Sequence, residues 1–152
     1  MKNISVTPAK ETDAAILAEL HHACLGQEWK THEIANILSN QGTLALLAQE
    51  NGTADGFILL RCIAGEGEIL NMGVVADAQK KGVGTALLKA ATAVCEKENC
   101  AQVWLEVAED NKAALHLYHA HGFTEEGKRK AYYRRADGST VDAHILRLEI
   151  KR

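Results

Sequence analysis

The chain has 152 residues, with 17 Lys and Arg against 20 Asp and Glu and a net charge of −3. That length is one domain's worth, able to bury roughly 70% of its unfolded surface. The balanced charge excludes a general nucleic-acid binder. The 12 Gly and single Pro exclude collagen-like and low-complexity classes. No apolar run approaches the roughly 18 residues of a membrane span. Lys2, Lys10, Glu11, Asp13 and Glu19 leave no apolar export segment near the start. A single domain over residues 1–152 is expected, cytoplasmic, with no membrane and no direct nucleic-acid contact, as a monomer or weak dimer. Cys24, Cys62, Cys95 and Cys100 then read as reduced thiols, small and buried. Charge is uneven: residues 1–75 carry 4 basic and 9 acidic residues, residues 76–152 carry 13 and 11. An anionic ligand is expected on the second half.

The pattern predicts a strand at Ile4–Val6, ended by Pro8. Thr12 is the expected cap of a helix with Ala15, Ile16, Ala18, Leu20 and Ala23 on its apolar side, ended by Gly26. Thr31 caps a second helix through Ile34, Ile37 and Leu38, broken at Asn40-Gln41-Gly42. Thr43–Gln49 and Gly56–Ile63 read as strands joined by an Asn51-Gly52 hairpin. Gly65-Glu66-Gly67 turns into a third strand, Glu68–Val75, which completes an antiparallel meander. Gly82–Glu98 is a helix, with Val83, Ala86, Leu87, Ala90, Ala91 and Val94 at helical spacing, ended by Asn99. Ala101–Ala108 is a strand with Val103, Leu105 and Val107 on one face, Trp104 and Glu106 on the other. Asp110 or Asn111 caps a helix ending at Gly122. Phe123 onward is extended, and Asp137-Gly138 turns into a last strand, Thr140–Ile150. The order β-α-α-β-β-β-α-β-α-β-β predicts a mixed α/β fold, a mostly antiparallel sheet flanked by helices.

The most informative stretch runs from Asn71 to Thr85. A strand enters a loop with Gly82 and Gly84, and the loop leads directly into a helix. Glycines without Cβ atoms let an anion approach the backbone. The first helical N–H groups have no intrahelical partner, and the helix dipole adds partial positive charge. Lys80 and Lys81 add full charges, so the loop reads as a phosphate or pyrophosphate cradle. It is neither a P-loop nor a dinucleotide fingerprint, because no G-K-[ST] follows and Leu87 stands at the third glycine position.

Gln79-Lys80-Lys81-Gly82-Val83-Gly84 resembles the Q/R-x-x-G-x-G/A motif of the GNAT superfamily of acetyl-CoA-dependent N-acetyltransferases. Further residues are similar to one subgroup. These are Trp104-Leu105-Glu106-Val107, Asn111, Ala114, Leu117-Tyr118 and Gly122-Phe123, then Ala131-Tyr132-Tyr133, Asp137-Gly138, Asp142-Ala143 and Ile145. That subgroup is the RimI-type ribosomal-protein alanine N-acetyltransferases, and the likeness spans about residues 66–148. The resemblance implies a GNAT fold and acetyl-CoA as cosubstrate; no metal is expected, because no Cys or carboxylate completes a ligand set with His116 and His119. It implies a protein N-terminus as acceptor, that of a ribosomal protein. Met72, Gly73 and Val74 would line the acetyl-CoA strand with backbone N–H groups aimed at the thioester. Gln79, Lys80, Lys81, Gly82, Val83, Gly84 and Thr85 would hold the pyrophosphate, and Asn111 would contact the coenzyme. Glu106 would be the general base and Tyr118 the general acid. Trp29, Tyr132 and Tyr133 would line the acceptor site.

Some residues depart from the subgroup. Ala108 stands where an Arg is frequent, Ala131 where Asn or Arg is frequent, and lysines replace arginines in the loop. The basic run Lys128, Arg129, Lys130, Arg134 and Arg135 fits an acidic partner, the coenzyme's 3′-phosphate, or a solvated sheet edge. Two other functions share these residues: acetylation of a lysine or small amine, and an acyl-CoA-binding module without turnover. The pair Glu106 and Tyr118 argues for the enzyme.

Overall fold

The computed structural model describes residues 3–25 and 29–150. Gly26, the expected end of the first helix, lies outside them. β1 (Ile4–Pro8), β2 (Thr43–Glu50), β3 (Thr53–Ile63) and β4 (Glu66–Val74) form one antiparallel run. β5 (Gln102–Ala108), β6 (Thr124–Arg134) and β7 (Thr140–Glu149) form another, with β7 in the middle. The runs join in one sheet of order β1-β2-β3-β4-β5-β7-β6. They join through the parallel pairing of β4 with β5, which covers Glu66↔Gln102, Gly67↔Val103 and Glu68↔Trp104.

Among the described residues four helices flank the sheet: α1 (Ala14–Leu25), α2 (Thr31–Ser39), α3 (Val83–Lys97) and α4 (Lys112–Ala120). The element order is the expected one, with short 3-10 turns added at Glu11–Asp13 and Ala76–Ala78. α1 and α2 bury Leu17, Leu20 and Ile34 against Leu47, Phe57 and Leu59. On the opposite face, Leu87 and Leu88 of α3 and Leu115 of α4 pack on Leu46, Ile58, Val103 and Leu146. β2 feeds both layers, Leu46 to one and Leu47 to the other. Burial on both faces is why this strand is apolar throughout rather than alternating.

α1 departs from the expected pattern. Its buried residues are Ala14, Leu17, Leu20 and His21, whereas Ala15, Ile16 and Ala23 are exposed. Apolar residues stand on both sides of this helix, so periodicity alone does not choose the buried face. Thr12 caps nothing: the Asp13 carboxylate accepts the Lys10 N–H at 2.8 Å. In the same way Lys30 precedes α2 and donates its N–H to Glu33 at 3.3 Å, and Thr31 is the first helical residue.

The β3–β4 turn is Ala64-Gly65, not Gly65–Gly67, with φ of 53° and 81°. Gly67 belongs to β4, where a Cβ would lie 2.8 Å from the Cys95 Sγ. Two positive φ angles make a turn that favours Asn-Gly, as at Asn51-Gly52, and alanine there is strained. Ala64→Asn is therefore expected to raise unfolding stability by about 1 kcal/mol in a urea titration. A loss of stability would contradict this turn geometry.

Candidate active site

The site begins where β4 and β5 separate. Leu59 pairs with Asn71 and Leu60 with Ile69, which leaves Leu70 as an extra residue on β4. Such a bulge bends its strand, and it falls two residues past the last pair with β5. Beyond it the β4 backbone faces an open seam. The Val75 N–H donates to the Asp55 carbonyl at 2.9 Å. Antiparallel alternation then turns the polar groups of Gly73 and Asn71 toward β3, and those of Met72 and Val74 toward the seam. Of the three residues expected to aim N–H groups at a thioester, Met72 and Val74 do face the opening. Gly73 does not, since its polar groups face β3; a Cβ there would meet Cys24 at 2.6 Å and Phe57 at 2.9 Å. Its lack of a side chain serves the packing of α1.

The glycine loop closes the upper end of the seam. The Gln79 amide donates to the Val74 carbonyl at 3.1 Å, which ties the loop to β4. Lys80 has φ of 62° and Gly82, the cap of α3, has φ of 89°. A Cβ on Gly82 would meet nothing within 4 Å, whereas one on Gly84 would lie 3.1 Å from Leu117. Gly82 thus leaves open space at the helix end, and Gly84 lets α3 approach α4. The first bond of α3 runs from the Ala86 N–H to the Gly82 carbonyl at 3.0 Å. The N–H groups of Val83, Gly84 and Thr85 precede it and have no intrahelical acceptor. Lys80, Lys81 and Thr85 are exposed beside them.

Below the loop a cleft of about 690 Å³ opens on the face that α1 and α2 cover over β2–β4. It is lined by Leu70 and Asn71 of β4, Trp104 and Glu106 of β5, Arg129, Tyr132 and Tyr133 of β6, and Ile145 of β7. Glu106 therefore stands on the open face of β5, as the alternation with Val103, Leu105 and Val107 predicts. Its carboxylate pairs with the Arg129 Nε at 2.7 Å. In a regular strand Tyr132 and Tyr133 would face opposite sides. Here β6 carries a bulge between Arg129 and Tyr133, and both rings reach the cleft. Ala131 at the bulge has φ of 51°, and its N–H donates to the Asp142 carboxylate at 2.8 Å. The two tyrosine rings meet edge-on at 5.1 Å.

Tyr118 lies on α4, buried and edge-on to Phe123 at 5.7 Å. Burial pushes its phenol up to about 12, and the Tyr133 phenol adds to the push. Tyr118 thus stays protonated at neutral pH and feels the Tyr133 phenol of the cleft. Asn111 caps α4 by accepting the Ala114 N–H at 3.2 Å. Trp29 is not among the cleft's lining residues. It stacks on His21 at 4.2 Å between α1 and α2.

The basic run is largely matched from within the chain. Lys128 pairs with Glu109, Arg129 with Glu106, and Arg135 with Asp110. His144 and Lys128 hold the Glu109 carboxyl below its ordinary range. Sequence reasoning missed Arg129 as a cleft residue and Asn71 as the partner of the His21 ring at 3.1 Å. The first depends on β7 lying between β5 and β6, and no local pattern encodes that strand order.

The acetyltransferase (GNAT) family profile matches residues 14–123. The chain is 39% identical to the [ribosomal protein bS18]-alanine N-acetyltransferase of Escherichia coli strain K12 over 114 residues, 74% of this chain and 76% of that protein. The crystal structure of the Escherichia coli ribosomal-protein-S18-alanine N-acetyltransferase superposes with a TM-score of 0.90 at 29% identity, covering 99% of this chain and 96% of the other. The structure of yncA from Salmonella typhimurium, with its cofactor acetyl-CoA, has the same fold, with a TM-score of 0.84 at 21% identity over 97% of this chain and 94% of that one.

The buried Tyr118 makes a pH prediction. Its pKa of about 12 in the folded chain lies above the ordinary 10. The group leaves stability unchanged below the ordinary value and reduces it as pH rises toward the folded value. Tyr118→Phe is expected to lessen the alkaline loss of stability between those limits, read by urea unfolding across pH. An identical decline in variant and parent would contradict the burial of this phenol.

Proposed function

The chain belongs to the GNAT acetyltransferase family, and on that premise we propose that it acetylates the α-amine of an N-terminal alanine on a small-subunit ribosomal protein. The observation that carries this proposal is the Glu106 carboxylate on the open face of β5, in a cleft walled by Tyr132 and Tyr133. The 39% identity with the Escherichia coli alanine N-acetyltransferase supports the choice of acceptor.

The residues present fit acetyl-CoA. The Gly82 cap leaves open space at the start of α3, where Val83, Gly84 and Thr85 offer N–H groups to a pyrophosphate and Lys80 and Lys81 add charge. Gln79 holds this loop to β4. The side chain of Asn111, beyond capping α4, has a second lone pair for the coenzyme. Met72 and Val74 present backbone groups along the seam. Acetyl-CoA supplies a thioester whose carbonyl an amine can attack and whose sulfur can depart.

The chain's own residues then handle two protons and one charge. A Met72 N–H aimed at the thioester oxygen stabilises the negative charge that grows there. The Glu106 carboxylate takes the proton of the incoming ammonium, directly or through a water. Its partner Arg129 is 55% exposed at the side chain, and such pairs are worth about 0–1 kcal/mol. An arriving ammonium can therefore replace the guanidinium at small cost. The Tyr118 hydroxyl gives its proton to the departing sulfur, and the second proton of the attacking nitrogen, released as the intermediate collapses, restores the phenol through solvent. Attack is direct, within a ternary complex; no cysteine lies in the glycine loop or in β4 to carry an acyl group.

Proton bookkeeping favours an α-amine. With a pKa near 8, roughly 10% is neutral at pH 7, against about 0.04% of a lysine near 10.4. One carboxylate in an open cleft suits the easier deprotonation.

Intact mass of a hexapeptide starting with alanine tests the acceptor, beside a second peptide with a blocked N-terminus and an internal lysine. One acetyl group on the first alone is expected. Acetyl on the second would move the assignment to lysine, and none on either to small amines or a module without turnover. Glu106→Gln is expected to lower kcat/KM by about 10²–10⁴-fold. Tyr118→Phe is expected to lower kcat to a similar degree with the Kd for acetyl-CoA unchanged. Full kcat in the Tyr118 variant would remove it from the proton path.

A further inference from the structure

Three of the four cysteines converge although the sequence scatters them. Cys62 is on β3, Cys95 in the last turn of α3, and Cys100 just before β5. Their Sγ atoms all lie within 4.8 Å of one another, and those of Cys62 and Cys95 are 3.5 Å apart. Two features of the backbone build this cluster. First, α3 ends in a Schellman motif. The Cys100 N–H donates to the Cys95 carbonyl at 2.9 Å and the Asn99 N–H to that of Glu96 at 3.1 Å. Asn99 takes the left-handed conformation, φ 62°, and the motif brings the Cys95 and Cys100 side chains together. Second, β4 carries Gly67 beneath them, where a Cβ would lie 2.8 Å from the Cys95 Sγ. The strand gives up a side chain where the sulfur sits. Cys95 and Cys100 are buried, and Cys62 is half-buried, the side from which an ion would enter.

We propose that Cys62, Cys95 and Cys100 form a binding site for a soft, thiophilic metal cation held by three sulfur ligands. Sulfurs sharing one ion at a bond length of about 2.3 Å stand about 4 Å apart, which matches the observed span. Among the described residues no His or carboxylate joins the trio, so hard cations such as Mg²⁺ and Ca²⁺ are poor candidates. Three ligands without a fourth suit Cu(I) better than structural zinc, which takes four. Each metal–sulfur bond replaces one S–H bond, the proton leaves to solvent, and no electrons move. α3 has 15 residues and is about 22 Å long at 1.5 Å per residue. The site stands at its far end from the glycine loop. Its effect falls on the joint between β3 and α3, so it reads out as stability rather than turnover.

The test uses the full chain, reduced and freed of metal. Cd(II), which is redox-inert, and Cu(I) under anaerobic conditions are added in turn. Native mass gives the stoichiometry, ultraviolet thiolate-to-metal absorption the ligands, and thermal unfolding the stabilisation. One ion per chain with a higher Tm is expected. Cys62→Ser is expected to weaken binding at least tenfold, and Cys24→Ser to leave it unchanged. Should the Cys62 variant fail to fold, alkylation of the parent chain decides: bound metal is expected to slow labelling of Cys62 and spare that of Cys24. No ion bound by the parent chain, equal binding by a folded Cys62 variant, or no protection of Cys62 would each overturn the site.

Discussion

The end of parallel pairing between β4 and β5 after Glu68↔Trp104 is the constraint on which the rest of the structure depends. A paired seam would satisfy the backbone groups of Met72 and Val74 inside the sheet. The extra residue Leu70 bends β4 away, and those groups are left facing an opening. Backbone donors at such a place need a partner, either water or ligand. The same separation exposes one face of β5, because α1 and α2 pack on β2, β3 and β4. Trp104 and Glu106 are thereby left without a covering helix. One interruption in hydrogen bonding thus produces both halves of the proposed site, the free backbone groups of β4 and the open face of β5.

Electrostatics then separates the two groups proposed to handle protons. Glu106 sits in the cleft beside Arg129 at 2.7 Å, a wet and exchangeable position. Tyr118 sits in the apolar layer between α4 and the sheet, where burial keeps it protonated. The bulge in β6 adds the third element, since it turns consecutive tyrosines into the same cleft. Strain at Ala131, with φ of 51°, accompanies that bulge.

Much of this was legible in the sequence. The order of elements follows from strong local signals: Asn51-Gly52 at a hairpin, the Gly82 start of α3, the alternation across β5. Glu106 is readable as outward-facing because its neighbours Leu105 and Val107 are both core residues. Gly84 and Gly73 were harder, since a glycine required for packing looks in sequence like one required for a ligand. Only coordinates separate Gly73, crowded by Cys24 and Phe57, from Gly82, which faces open space. The buried face of α1 was misread because its alanines fit either side. Trp29 stacks on the His21 ring, a contact that no local pattern shows. The Glu106–Arg129 pair and the cysteine trio join residues distant in the chain, and strand order fixes them, not local pattern.

The central claim is that acetyl-CoA occupies the seam between β4 and β5, with its pyrophosphate at the start of α3. Residue-resolved amide hydrogen exchange, with and without acetyl-CoA, tests it most directly. Slower exchange is predicted at Met72 and Val74, whose N–H groups face the seam, and at Val83, Gly84 and Thr85. Gly73, already turned toward β3, is predicted to change little. Protection confined to another surface, or equal at Gly73 and its neighbours, would contradict the account.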